Sequence, residues 1–207
     1  MKIACIAANG QSGQAFVYAA LEAGHSVNAG IHSTNPFKSK PNLRVIKIDA
    51  NNIDDLIKLT KDQDAVVTFI GHGQNTSKDV QTIAIKNTIA AIKKNKIKRL
   101  VSLTGTGVRF KGDHIRFIDH FLNFSVKLVD YYRVKDGIDH VNLIKKSKTN
   151  WTVIRVLKLQ NTRPKPFILT ENGPTKVITS RQEVAEAVLE VLEDNSFIKK
   201  APIISSP

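Results

Sequence analysis

Short apolar runs alternate along this chain with longer stretches whose apolar residues recur every three or four positions. Lys2–Ala8 (KIACIAA) is the first short run and reads as a buried strand. Ser12–Ala23 follows with helical periodicity, and Gly24 stands where a helix C-terminal glycine belongs. Ser26–Ile31 and Arg44–Ile48 are further strands, Ile53–Lys61 a helix, and Ala65–Ile70 (AVVTFI) a β-branched strand. Asp79–Lys94 is an amphipathic helix with Val80, Ile83, Ala84, Ala91 and Ile92 near helical spacing, and Arg99–Thr104 (RLVSLT) is the next strand.

Beyond Thr104 the periods blur. Asp113–Lys148 reads as mainly helical, with Gly137 as a break, and Trp151–Leu157 (WTVIRVL) as a strong strand. Thr162–Pro174 is rich in Pro and Gly and reads as loop. Ser180 followed by Glu183 forms a capping box that opens a last helix through about Glu193. Repeated βα units with nearly continuous apolar strands imply an α/β fold: a doubly wound, mostly parallel sheet with helices on both faces. With 207 residues and no linker or repeat, residues 1–207 make one domain, its later segments after residue 104 forming an acceptor site.

Composition changes this picture little. Apolar content of 42% and charged content of 24% are ordinary for a globular protein. The net charge of +13 raises the question of a nucleic-acid partner. However, the densest basic runs, Lys93–Arg99 and Lys145–Lys148, fall at expected helix C-termini, where the helix dipole favours cations, and no aromatic residues interleave with them. They read as solvated helix ends and disfavour a nucleic-acid surface. The one cysteine, Cys5, lies in the first strand and reads as core, so no disulfide and no oxidising compartment is implied. No signal-peptide pattern and no long apolar span is present, and the expected location is the cytoplasm, with no membrane partner.

The chemistry begins at Asn9-Gly10-Gln11-Ser12-Gly13, between the first strand and the first helix. In such a strand–turn–helix, backbone N–H groups and the helix N-terminus offer a seat for a pyrophosphate. Gly10 would let the backbone approach the phosphates and Gly13 would let the helix pack closely on the strand; a purely structural turn is the other reading. Ala7 stands where the first glycine of the G-x-x-G-x-x-G variant is usual, a replacement suited to ordinary backbone torsions. The end of the second strand, His32-Ser33-Thr34-Asn35 followed by Lys38 and Lys40, carries no carboxylate for ribose hydroxyls. Hydroxyls, an imidazole and lysines there favour NADP over NAD.

These residues carry a resemblance. The chain is similar over nearly its whole length to the atypical short-chain dehydrogenase/reductase group with an NAD(P)H-binding Rossmann domain, the NmrA-like and flavin/biliverdin-IXβ-reductase-like proteins. Ile6–Gly13 resembles the group's strand-plus-GATGxxG segment, and Ile48-Asp49-Ala50 its Gly-Asp-x element with Ile in place of Gly. Asp64-Ala65-Val66-Val67 through Ile70-Gly71 resembles the strand and loop beneath the nicotinamide ribose. Arg99–Thr104 resembles its R-x-V-x-x-S/T strand, and Trp151–Arg155 its W-T-I-x-R-P strand with Val156 in place of proline. The resemblance implies that Ala7, Asn9, Gly10, Gln11, Ser12 and Gly13 lie along the pyrophosphate. It likewise implies that His32, Ser33 and, nearby, Lys38 face the adenosine ribose or its phosphate. Asp49 and Ala50 would flank adenine, and Gly71, His72 and Thr104 the nicotinamide half.

Catalysis is less marked. Tyr131-x-x-x-Lys135 would put a tyrosine and a lysine on one helix face, resembling the proton-donating pair of the wider short-chain dehydrogenases, although helix surface is the competing reading. Gly105 stands where the reductase-like members often carry a serine, and Thr104 or Thr106 could supply a hydroxyl instead. His114, His120 and His140 have no metal-ligand company, so no metal site is assigned. The resulting expectation is an NAD(P)H-dependent reductase, monomeric or homodimeric, that passes hydride to a small-molecule acceptor: a flavin, a quinone-like compound or another flat conjugated molecule. The alternative is a non-enzymatic NAD(P)-binding redox sensor of NmrA type.

Overall fold

The computed structural model describes residues 1–73, 76–114, 117, 121 and 130–207. The elements are, in chain order, β1 (Lys2–Ile6), α1 (Gln11–Glu22), β2 (Ser26–Ile31), β3 (Leu43–Lys47), α2 (Ile53–Thr60), β4 (Ala65–Thr68), α3 (Val80–Lys94) and β5 (Arg99–Gly105). After these come α4 (Tyr131–Lys146), β6 (Asn150–Val156), β7 (Lys158–Gln160), β8 (Ile168–Thr170), β9 (Ile178–Ser180), α5 (Arg181–Glu193) and β10 (Ile203–Ser205). An eight-stranded sheet runs β3-β2-β1-β4-β5-β6-β10-β8, parallel except for the antiparallel β10–β8 pair at its edge. β7 and β9 form a separate parallel ribbon.

Because successive strand residues point to opposite faces, each strand feeds two cores. Ile3 and Cys5 of β1 face α1 and α5, which supply Phe16, Val17 and Val188. Ala4 and Ile6 face the opposite layer, where Leu56, Ile85, Ile92 and Ile144 of α2, α3 and α4 pack. Burial in this setting pushes the Cys5 thiol up, which keeps it protonated and inert. Gly24 takes φ +80 immediately after α1, and Leu21 and Ala20 carbonyls accept from the backbone N–H groups of Gly24 and His25. The capping box at α5 is formed: Ser180 Oγ accepts from Glu183 N at 3.0 Å and Glu183 Oε2 from Ser180 N at 3.3 Å.

Three expectations are corrected. β1 ends at Ile6, short of Ala8, because Ala7 turns into the left-handed region at φ 59. Gly137 does not break a helix: α4 runs through it, and a Cβ there would meet Thr104 Oγ1 and Val108 Cγ2, each at 3.4 Å, so the glycine seats the helix on β5. The stretch read as loop contains β8, three residues held by pairing with β10.

Two buried polar clusters tie the later segments down. Arg155 of β6 is fully buried and bonds both oxygens of Asp113, at 2.6 and 2.9 Å. Its remaining N–H groups reach the carbonyls of Val108, Glu171 and Ala201, and its guanidinium lies over the Phe110 ring. Every donor is thus satisfied, which a buried guanidinium requires. His140 of α4 joins Ser102 of β5 at 2.8 Å and the Gln81 carbonyl of α3 at 3.3 Å, and its burial pushes the imidazole down to about 4.

Between about pH 6.5 and 4 the unfolded chain therefore takes up a proton at His140 that the folded chain does not. The resulting stability is complete above about pH 6.5 and is lost as the pH falls toward 4. In urea titrations the wild type is expected to lose on the order of 3 kcal/mol more than His140→Gln between pH 7 and 4. Equal pH slopes for the two proteins would contradict this.

Candidate functional site

At β1 the strand order reverses: β2 and β3 lie to one side, β4, β5 and β6 to the other. Ligands of open parallel sheets bind at such a reversal, outside the carboxyl ends of the strands. Helix α1 starts there. Its N-cap, Gly10, offers no side-chain acceptor, and no acidic residue stands in its first turn. The amides of Gln11, Ser12 and Gly13 therefore have neither an intrahelical partner nor a cap, and the positive end of the helix dipole is unneutralised by the chain itself.

The close fit of this turn leaves no room for a side chain at Gly13. A Cβ would stand 2.4 Å from the Ala7 carbonyl oxygen and 2.7 Å from Ala8 Cα; at Gly10 it would meet the same oxygen at 3.3 Å. Gly10 N donates to that oxygen at 3.1 Å. Ordinary torsions at Ala7 are overturned: its φ of 59 carries a left-handed penalty of about 1–2 kcal/mol. These features fit a pyrophosphate, which would supply the acceptors that the bare amides lack.

Two clefts flank the turn, and Ile70 lines both. The smaller, about 350 Å³, is lined by His32, Asp49 and Ala50, three of the residues expected at the adenosine side, and by Ala7 and Asn9 of the expected pyrophosphate turn. Ser33 is tied in by Asn9, whose Nδ2 donates to Ser33 Oγ at 2.9 Å. Lys38 lines neither cleft. Its neighbour Phe37 is buried against Tyr18, and Lys40 lies over the same ring, so this loop folds back onto α1.

The larger cleft, about 580 Å³, is lined by Gly71, His72 and Thr104, the residues expected at the nicotinamide half, and by Ser12 of the expected pyrophosphate turn. Thr106 is buried and is not among its lining residues. Helix α4 contributes Arg133, Val134 and Gly137 to the cleft wall, but not Tyr131 or Lys135. Tyr131 is half-exposed with its ring against Tyr132, and Lys135 is bonded to Asp139 at 2.6 Å, which holds its ammonium above its ordinary value. The expected tyrosine–lysine pair is thereby corrected: the helix turns that face away from the cleft.

The sequence reading missed Asp136. This buried carboxylate of α4 accepts from Gln81 N and Thr82 N at 2.9 Å and from Thr82 Oγ1 at 2.5 Å, so it caps α3 from a different helix. It also bonds His72 Nε2 at 2.9 Å. No local signal marks it, since its partners lie more than 50 residues away. Lys158 and Leu159, which follow the Trp151 strand, also line the cleft and were missed. His114 donates its backbone N–H to Asn172, and His120 lies outside the described residues. Among the described residues no group of His, Cys, Asp and Glu is placed to hold a metal ion, and no helix is long and apolar enough to cross a membrane.

A parallel sheet with a bare helix N-terminus at its strand-order reversal is an arrangement in which open α/β sheets bind nucleotides. The chain belongs to the NAD(P)H-binding family, whose family model matches residues 7–195. Among curated proteins none matches it. Among solved structures it is similar to a short-chain dehydrogenase/reductase from Veillonella parvula in complex with NADP, at a TM-score of 0.83 and 16% identity, covering 100% of this chain and 94% of that one. It is also similar to a protein of Streptococcus pneumoniae described provisionally as an NADH-flavin reductase, at 0.75 and 24%, covering 99% and 98%. A Bacteroides thetaiotaomicron protein described provisionally as an epimerase aligns at 0.82 and 22%, covering 99% and 96%.

The two turn glycines are expected to respond differently to substitution. Gly13→Ala, which forces a methyl group into backbone atoms, should destabilise the fold by about 1–3 kcal/mol or more. Gly10→Ala should leave the urea midpoint nearly unchanged while weakening dinucleotide affinity at least tenfold. Equal stability losses at the two positions would contradict the packing described.

Proposed function

We propose that this protein is an NAD(P)H-dependent oxidoreductase that passes hydride to a flat conjugated acceptor, a flavin or a quinone-like compound. The uncapped N-terminus of α1 at the strand-order reversal, with a cleft on each side of Ile70, is the observation that carries the reading. One cleft has the size and lining for an adenosine moiety, and the other can hold a nicotinamide together with an acceptor. Bound there, the nicotinamide supplies the hydride. The chain's own residues orient both partners, and the apolar side chains Phe69, Leu103 and Val156 exclude water between them. Similarity to the provisionally described flavin reductase supports the acceptor class. The reducing cytoplasm is the compartment that suits this activity and the unpaired Cys5.

NADP is the preferred cofactor in this reading. No carboxylate ends β2, His32 borders the adenosine cleft, and Ser33 is held beside it by Asn9. Calorimetric titration is expected to give tighter binding of NADPH than of NADH, and Ser33→Ala should weaken NADPH selectively; equal losses for both would remove the preference. Because Lys38 lines neither cleft, Lys38→Ala should change neither affinity.

The larger cleft carries the cations Arg133, whose Nε is paired with Asp130 at 3.2 Å, and Lys158, and no Asp or Glu among the described residues lines it. This balance favours an acceptor bearing negative charge. With NADPH as donor, Arg133→Ala or Lys158→Ala should raise KM for FMN about two- to fivefold, as expected for an exposed charge pair, and leave riboflavin unchanged. No turnover of any flavin or quinone by protein shown to bind NADPH would overturn the reductase reading and leave a nucleotide sensor in its place.

A further inference from the structure

We propose that His72 is the proton donor to the reduced acceptor and that Asp136 is its positioning residue. This inference rests on the reductase reading above. The geometry supporting it is independent of any bound molecule. Each oxygen of Asp136 receives a donor that can only give a hydrogen: Oδ2 the N–H of Gln81 and Oδ1 the N–H of Thr82. The carboxylate is therefore an acceptor toward its neighbours, and His72 Nε2, 2.9 Å from Oδ2, carries the hydrogen of that bond. The ring is thereby fixed as the Nε2–H form, leaving Nδ1 as the nitrogen available to a ligand. Among the described residues no other group bonds the ring. His72 lines the larger cleft although its side chain is only 8% exposed, so what it can reach is mainly the contents of that cleft.

Asp136 is set rigidly enough to orient a ring. It is anchored to the start of α3 through three bonds, and the next residue, Gly137, packs against Thr104. The same carboxylate therefore joins α3, α4 and the loop after β4. The arrangement is an imidazole oriented by a buried carboxylate, whose bond to Nε2–H the protonated ring keeps, as a general acid requires. Thr104 brings one hydroxyl to the same cleft, whereas Gly105 has no side chain and Tyr131 is not among the residues that line it.

The step balances as follows. The acceptor takes a hydride with its electron pair as the C4–H bond of NAD(P)H breaks, forming a new C–H or N–H bond. A second acceptor atom, oxygen or nitrogen, takes a proton from Nδ1 of the His72 imidazolium, the form that the resting Nε2–H ring reaches by taking a proton from water at Nδ1 while Nε2–H stays bonded to the Asp136 carboxylate. NAD(P)H is oxidised by two electrons, the acceptor is reduced by two, and the neutral ring regains its proton from water.

The test uses full-length protein and two independent readouts. Nitrogen-15 imidazole spectra of the ligand-free wild type are expected to show His72 as the Nε2–H form, and Asp136→Asn should abolish that single form. His72→Gln keeps an N–H for Asp136 and should bind NADPH within threefold of wild type, while kcat with FMN or a benzoquinone falls about 100-fold or more. His72→Ala should regain part of that loss with added imidazole. A wild-type ring in the Nδ1–H form would overturn the positioning role of Asp136. Undiminished kcat in both His72 variants, with the wild type active, would overturn the donor role alone. A wild type that binds NADPH and reduces nothing would overturn the reductase reading and the donor role with it.

Discussion

A methyl group at Gly13 would stand 2.4 Å from the carbonyl oxygen of Ala7, and the site depends on that proximity. Helix α1 can begin against the end of β1 only where the chain has no side chain to interpose. Its first amides then open into the crevice between β2 and β4 rather than onto protein. The turn holds this shape although Ala7 adopts a left-handed φ that glycine would take without strain. The strain at Ala7 and the uncapped start of α1 fall at one place, and the proposed phosphate seat rests on that coincidence.

The far side of the crevice is built by buried charge rather than by the turn. Asp136 on α4 caps α3, and Arg155 on β6 clamps Asp113 and the carbonyls of Val108, Glu171 and Ala201. Neither cluster is evidence of large net stability, since desolvation offsets most of the attraction. Breaking one partner of such a pair costs about 3–5 kcal/mol. What the clusters provide is geometry. They hold the loop after β5 against β6 and hold α4 against α3, so that Gly107, Val108, Arg133 and Gly137 line the same cleft.

Much of this was legible in the sequence where the signal is local. The short apolar runs and the helical repeats in roughly the first hundred residues placed β1 through β5 and α1 through α3 within a few residues. The glycine spacing after β1, Gly24 and the Ser180–Glu183 box marked three helix ends. The reading failed where the cause is tertiary. β8 and β10 are three residues each and exist by tertiary pairing, β8 with β10 and β10 also with β6, which no periodicity announces. Gly137 looked like a breaker because its propensity is poor, whereas α4 runs through it with its backbone close to Thr104 and Val108. Tyr131 and Lys135 had the right spacing on the wrong face of α4, and spacing alone does not say which face meets the cleft. Asp136, one residue from Lys135, was passed over because its partners come from the loop after β4 and the start of α3.

The most direct measurement is a backbone amide NMR titration of the intact protein with NADPH. If the start of α1 seats the pyrophosphate, the Gln11, Ser12 and Gly13 N–H protons should move downfield with the largest shifts in the molecule, as they gain charged acceptors. Shifts centred elsewhere on the sheet, or these three signals unmoved at saturating NADPH, would contradict the account.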